Sequence, residues 1–324
     1  MSYAFDPELA PSAALLPPPV ALDPQEARTQ TAELSATAPE PDTGGIDVQD
    51  LLVPGPVGAP DVAVRVYRPQ EESGPLPAVY DIHGGGFIMG GIDAAHPGNV
   101  ELARDLGAVV ASVEYRLAPE APFPAPLEDC YAGLVWLADN ATELEVDPDR
   151  VALHGISAGG GLAAALTLLA RDRGGPSIAF QYLGVPELDD RLATPSMRAF
   201  TDTPMWNRPN ADVSWNCYLG EGVAGSEDVS PYAAPARATD LAGLPPAYIS
   251  AMQFDPLRDE GIAYAMALLA AGVTVELHVF PGTFHGSVMV KQAEVSRREA
   301  TERLSVLRRA LHGVREDGAA APRR

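Results

Sequence analysis

The sequence predicts an α/β fold in which a mostly parallel sheet is covered on both faces by helices. From about Val62 onward, strand-like runs alternate with helix-like ones, the rhythm of strand–helix–strand crossovers. A β-like run at residues 150–154 leads through Gly155-Ile156-Ser157-Ala158-Gly159-Gly160 into an unbroken apolar run at 162–170. A buried-strand pattern at 78–82 leads into the glycine run His83-Gly84-Gly85-Gly86-Phe87. At 324 residues and 46% hydrophobic composition, the chain can bury a large core.

Taken in order, the first forty-five or so residues fall outside that rhythm, with Pro17-Pro18-Pro19 and a short helix-like segment near 24–34. Strands are expected at 62–67, 78–82, 108–114, 150–154, 178–183, 247–251 and 274–280, the last a clean period-two pattern. Between the third and fourth of these, Cys130 shares a helical stripe with Leu127, Leu134 and Leu137, which predicts a buried free thiol. Residues 189–238 break the rhythm again. There Met205, Trp206, Trp215, Tyr218 and Leu219 recur among prolines and polar residues, a concentration of aromatics that a linker would not carry.

The two glycine-rich turns carry the chemistry. G-x-S-x-G between a strand and a helix is a nucleophile elbow: small residues permit the tight turn, and the helix N-terminus favours developing negative charge. Three glycines directly after a strand free the backbone to aim N–H groups at a ligand. In acyl transfer such donors hold the oxyanion together with the N–H of the residue after the nucleophile, here Ala158. An acid and a histidine should follow in chain order. Asp255 stands in the loop before Pro256, whereas Asp259 and Glu260 fall in the first turn of the next helix, where acids favour the dipole. His278 shares a strand face with Thr274 and Glu276 and reads as a half-exposed strand histidine. His285 lies after the strand, where a base can meet the serine. His83 reads as a residue that orders its glycine loop.

With these residues in view, the chain resembles the hormone-sensitive-lipase family of bacterial carboxylesterases, family IV of the lipolytic enzymes, within the α/β-hydrolase fold. The matching residues are His83-Gly84-Gly85-Gly86-Phe87, Tyr115-Arg116-Leu117-Ala118-Pro119-Glu120, Gly155-Ile156-Ser157-Ala158-Gly159-Gly160, Asp255-Pro256-Leu257-Arg258-Asp259-Glu260 and His285-Gly286. The resemblance implies Ser157 as nucleophile, Asp255 and His285 as its partners, and Gly85, Gly86 and Ala158 as oxyanion donors. Two positions depart from the pattern. Ile156 replaces the Asp or Thr common before the serine, and Ser287 stands where an aromatic often follows His-Gly. The resemblance also supports a helical cap over the site, built from 1–45 and an insertion at 189–238, on a catalytic core of 46–188 and 239–324. Trp206, Trp215 and Tyr218 are then expected to line the substrate pocket.

The expected activity is hydrolysis of short- to medium-chain acyl esters by a Ser-His-Asp acyl-enzyme route. An amidase or acyltransferase would share every residue named, and a non-catalytic small-molecule receptor on this fold would usually have lost a triad member. No cofactor is expected: there is no Rossmann or P-loop glycine pattern, and His83, His154 and His285 lack a spaced metal-ligand set. Lys and Arg number 22 against 44 Asp and Glu, and the net charge of −22 argues against nucleic acid or an anionic membrane as partner. The first residues lack a basic start and an apolar signal core, and the longest apolar runs, 162–170 and 265–275, are too short to span a bilayer. A cytoplasmic protein is expected, and pairing of the last strand's edge across a two-fold axis predicts a homodimer.

Overall fold

The structure, a computed structural model, describes residues 3–16 and 22–313, so Pro17, Pro18 and Pro19 lie outside the described residues. Eight strands form one sheet: β1 (Ile46–Val53), β2 (Val62–Pro69), β3 (Leu76–Ile82), β4 (Val109–Glu114), β5 (Val146–Ile156), β6 (Phe180–Gly184), β7 (Ala247–Phe254) and β8 (Val275–Phe284). Their spatial order is β1-β2-β4-β3-β5-β6-β7-β8. The β1–β2 and β2–β4 pairings are antiparallel, and all others are parallel. Every residue of β3 is buried, as a parallel strand covered on both faces requires.

Helices α4 (Ala125–Asp139), α5 (Ala158–Arg173) and α8 (Arg258–Ala270) pack on one face, and α3 (Ile92–Leu106) and α9 (Glu294–His312) on the other. Helix α5 is buried from Ala158 through Ala170, which explains its apolar sequence on all sides. Its glycines allow the close approach: a Cβ at Gly159 would lie 2.1 Å from Ile82 O. Two helices precede the sheet, α1 (Ala10–Leu15) and α2 (Pro24–Thr37), and two short ones, α6 (Pro195–Ala199) and α7 (Arg208–Leu219), lie between β6 and β7. Cys130 is buried as expected, and burial pushes its thiol pKa well up.

The structure corrects several element boundaries. Strand β1 falls in a stretch where no strand was expected. It is an edge strand buried mainly at its two ends, and Gln49-Asp50-Leu51-Leu52 breaks the period-two pattern. Strand β5 begins at Val146, with Asp147-Pro148-Asp149 spanning a register shift against β3, so the polar residues there mask it. Strand β6 begins at Phe180 and leaves Ile178 outside. Strands β7 and β8 run on to Phe254 and Phe284, beyond the expected ends at 251 and 280.

Candidate active site

The extended ends of β7 and β8 matter for chemistry. Phe254 pairs with Phe284 in a parallel register, so the next residues on each strand, Asp255 and His285, emerge side by side. His285 Nδ1 donates to Asp255 Oδ2 at 2.7 Å, and the other carboxylate oxygen accepts the Leu257 N–H at 2.9 Å. Asp255 is wholly buried, so its two acceptors are committed to donors that fix it. Asp259 and Glu260 do more than favour the dipole of α8. Asp259 Oδ2 accepts the Ser196 N–H at 2.7 Å and Glu260 Oε1 the Leu188 N–H at 2.6 Å, which pins the segment after β6. His278 is part-buried and donates from Nδ1 to Glu302 at 2.7 Å, a structural pair on β8 and α9.

Ser157 sits between β5 and α5 with φ 59° and ψ −123°, a backbone conformation costly for a non-glycine residue. The turn is held from several sides. Ser157 N–H donates to Gly184 O at 2.8 Å, and Ser157 O accepts from Gly161 and Glu187 N–H at 3.0 and 3.1 Å. Tightness forbids larger neighbours, since a Cβ at Gly155 would lie 2.1 Å from Gly159 O. Ala158 is the first residue of α5, where helical N–H groups lack intrahelical partners and the dipole is positive. Ile156 packs over Gly184: a Cβ there would lie 2.4 Å from Ile156 Cδ1, so this departure makes an apolar contact. Ser287, the other departure, is buried in a short turn after His285, with its carbonyl accepting from Ser296 Oγ at 2.9 Å.

The glycine loop lies against this elbow. A Cβ at Gly84 would meet Ile156 O at 2.8 Å and Ser157 Cβ at 3.6 Å. Gly85 and Gly86 adopt φ 123° and 57°, values that favour glycine. His83 orders the loop as expected. Its Nδ1 donates to Gly84 O at 2.8 Å, its ring stacks on Tyr115 at 4.1 Å, and Tyr115 Oη donates to His83 O at 2.9 Å. Burial lowers its pKa, consistent with a neutral ring.

The three aromatics expected to line the pocket separate. Trp206 bridges the loop and the histidine: its ring centroid lies 5.8 Å from that of His285, and a Cβ at Gly86 would lie 2.5 Å from its Cη2. Trp215 and Tyr218 are fully buried against Phe87, Tyr218 stacked on it at 4.0 Å and Trp215 at 5.5 Å. They pack behind the glycine loop, against the large apolar face of Phe87. Arg28 of α2 was not singled out in the sequence. Its guanidinium donates to Ile88 O at 2.6 Å, to Ala118 O at 2.5 Å and to Glu120, tying α2 to the glycine loop and to Ala118-Pro119-Glu120. Glu187 was missed as well. An acid embedded in Val185-Pro186-Glu187-Leu188, directly after a buried strand, was the available signal.

The glycine loop, Ser157, Glu187, Asp255 and His285 follow the C-terminal ends of parallel strands, where α/β sheets place their sites. The arrangement combines a strained serine at a helix N-terminus, an adjacent glycine loop, and a histidine held by a buried aspartate. Such a set can attack a carbonyl and hold the resulting oxyanion.

Comparison with known proteins agrees. Residues 79–289 match the alpha/beta hydrolase fold family. The chain is 44% identical over 259 residues to carboxylesterase NlhH of Mycobacterium tuberculosis, covering 79% of this chain and 80% of the relative. It is 41% identical over 273 residues to esterase LipI of the same organism, covering 82% and 83%. A solved bacterial heroin esterase superposes with a TM-score of 0.92 at 53% identity, covering 95% of this chain and 98% of that one. On these matches and this strand-end geometry, the chain belongs to the α/β-hydrolase fold family, among its carboxylic ester hydrolases.

Proposed function

We propose that this enzyme hydrolyses short- to medium-chain acyl esters through an acyl-enzyme formed on Ser157. The observation that carries the reading is the paired emergence of Asp255 and His285 from β7 and β8, with Nδ1 of the histidine committed to the aspartate at 2.7 Å. That bond leaves Nε2 as the base. His285 takes the proton from Ser157 Oγ as it attacks the ester carbonyl, and Asp255 stabilises the imidazolium that forms. The N–H groups of Gly85, Gly86 and Ala158 receive the oxyanion, each such donor being worth about 10²–10³ in turnover. The alcohol leaves with the proton from His285, and water repeats the sequence to release the acid.

Trp206 supports a short acyl pocket, because its indole fills the space between Gly86 and His285. Each methylene buried in such a pocket adds about 0.8 kcal/mol only until the wall is reached. Residues 1–45 and 189–238 are proposed as the cap, which the placement of α2, α6 and α7 around the glycine loop and the Asp255 loop supports.

A serine-directed phosphonate should label Ser157 alone, and Ser157→Ala should lose about four to six orders of magnitude in turnover while keeping its fold. Across p-nitrophenyl esters, efficiency should peak at acyl chains of about two to eight carbons, with a matched amide and an alcohol acceptor used far less well. Near-normal esterase activity in Ser157→Ala would remove the assignment.

A further inference from the structure

The carboxyl of Glu187 has no part in the steps above, yet it lies beside the nucleophile. The residue is 0% exposed, and its own N–H donates to Ser157 O at 3.1 Å. Among the described residues, neither carboxyl oxygen meets a well-formed hydrogen-bond partner. The groups facing it are the Ser214 hydroxyl on α7, Asp255 after β7, Glu260 in the first turn of α8 and Tyr115 after β4. Two of these are acids and none is a cation, so an ionised Glu187 would be buried against like charge.

Ser214 decides the protonation state by donor counting. A serine hydroxyl has one proton, and Ser214 gives it to Gly86 O at 2.9 Å. Only lone pairs remain for Glu187. A carboxylate would meet them acceptor to acceptor, whereas a carboxylic acid can donate to them. We propose that Glu187 is held as a neutral carboxylic acid that donates to Ser214 Oγ and, through Ser214, fixes the Gly86 carbonyl and hence the oxyanion loop. This relay rests on the serine-esterase reading above. It makes Glu187 a positioning residue, since it reaches the oxyanion only through Ser214 and Gly86. Gly86, at φ 57°, needs such a fixture, because displacement of a catalytic donor by about 1 Å can cost about 10² in rate.

Burial, partly offset by the neighbouring Ser214 hydroxyl and reinforced by the charge of Asp255, pushes the Glu187 pKa up to about 8. The acid is therefore neutral at pH 7. As pH rises through about 8 it ionises and can only accept; Ser214 then turns its proton toward it, and Gly86 O loses its donor. The expected result is a fall in kcat above about pH 8, with KM changed less. A stability signature accompanies it. The folded-state pKa is raised above that of an unfolded glutamate, so the stabilisation is full below about pH 4.3 and is lost as pH rises through the folded value. Burial holds the Glu260 pKa well up too, so only the difference between wild type and a Glu187 variant isolates Glu187.

The test compares full-length wild type, Glu187→Gln, Glu187→Ala, Ser214→Ala, the Glu187→Ala/Ser214→Ala pair and Ser157→Ala, with kcat, KM and Tm measured from pH 6 to 10. Glu187→Gln offers a neutral donor at every pH, so it should keep most of its kcat at pH 7 and lose the alkaline fall. Its Tm should gain on wild type as pH rises. Glu187→Ala and Ser214→Ala should each lower kcat about ten- to hundredfold at pH 7 with KM within about threefold, and the pair should cost no more than the worse single. An alkaline fall in Glu187→Gln matching wild type overturns the relay, whether or not Glu187→Ala folds. A folded Glu187→Ala with wild-type kcat at pH 7 overturns it as well. Ser157→Ala separates the two readings: turnover retained there sinks the esterase assignment, whereas an inactive Ser157→Ala beside wild-type behaviour at Glu187 sinks the relay alone.

Discussion

At the residue scale, Ser157 is held by what its neighbours lack. Gly159 lets α5 sit on the end of β3, and a Cβ there would lie 2.1 Å from Ile82 O and 2.5 Å from His83 O, both backbone atoms that cannot swing away. Gly159→Ala should therefore push α5 off β3, destabilise by about 1–3 kcal/mol, and move Ala158 and the glycine loop together. Thermal melting and kcat should fall in concert, and a variant with unchanged melting and turnover would show that the approach is looser than drawn. Ser157, Asp255, His285 and the glycines were legible because chemistry and backbone geometry demand those residue types at those spacings. The packing of Trp215 and Tyr218 on Phe87 was not legible, because nothing local in the sequence shows that one ring gathers both. For Glu187 the sequence shows an acid after a buried strand, and only tertiary packing sets Ser214, Asp255 and Glu260 around it.

At the element scale, the parallel strands were readable as runs of β-branched and apolar residues, and their errors lie at the ends. Strand β8 continues through Pro281-Gly282-Thr283, residues that signal a turn, because they span a register shift against β7 after which Phe284 pairs with Phe254. Its place at the sheet edge is as expected, opposite β1. An edge strand presents a row of unpaired N–H and C=O groups, and here Val279 is 38% exposed with no charge of its own to discourage pairing. Two copies are therefore proposed to pair β8 to β8 across a two-fold axis. Light scattering at tens of micromolar should give twice the 34.0 kDa chain mass, and Val279→Lys should shift it toward one chain. A single-chain mass for the wild type would remove the dimer.

At the scale of the whole molecule, the segment before the sheet is tied to the catalytic ends of the strands from two directions. Helix α2 buries only Ala27, so hydrophobic packing holds it weakly, and the bonds from Arg28 to Ile88 O and Ala118 O fix it to the glycine loop. Further upstream, Tyr3 and Phe5 pack on Phe254 at 5.5 and 5.4 Å, Phe5 on Phe284 at 5.2 Å, and Asp6 N–H donates to Gly282 O at 2.9 Å. Phe254 and Phe284 directly precede Asp255 and His285. A deletion of everything before Gly45 therefore removes more than the proposed cap segment. It also withdraws aromatic packing from the two strand ends that align acid with base, contacts worth about 0.5–1.5 kcal/mol per ring pair beyond their buried area. The eight-stranded sheet should survive, since its strands begin at Ile46. The expected outcome is a folded protein with weaker binding, a shifted acyl-length preference, and a kcat lowered about tenfold or more, because small misplacements of acid and base cost rate as well as affinity. Circular dichroism would establish the fold, and kcat and KM across p-nitrophenyl esters would separate the two effects. A truncated enzyme with unchanged kcat would show that Tyr3 and Phe5 do not support the triad, and an unchanged acyl-length profile would show that the segment does not shape the pocket.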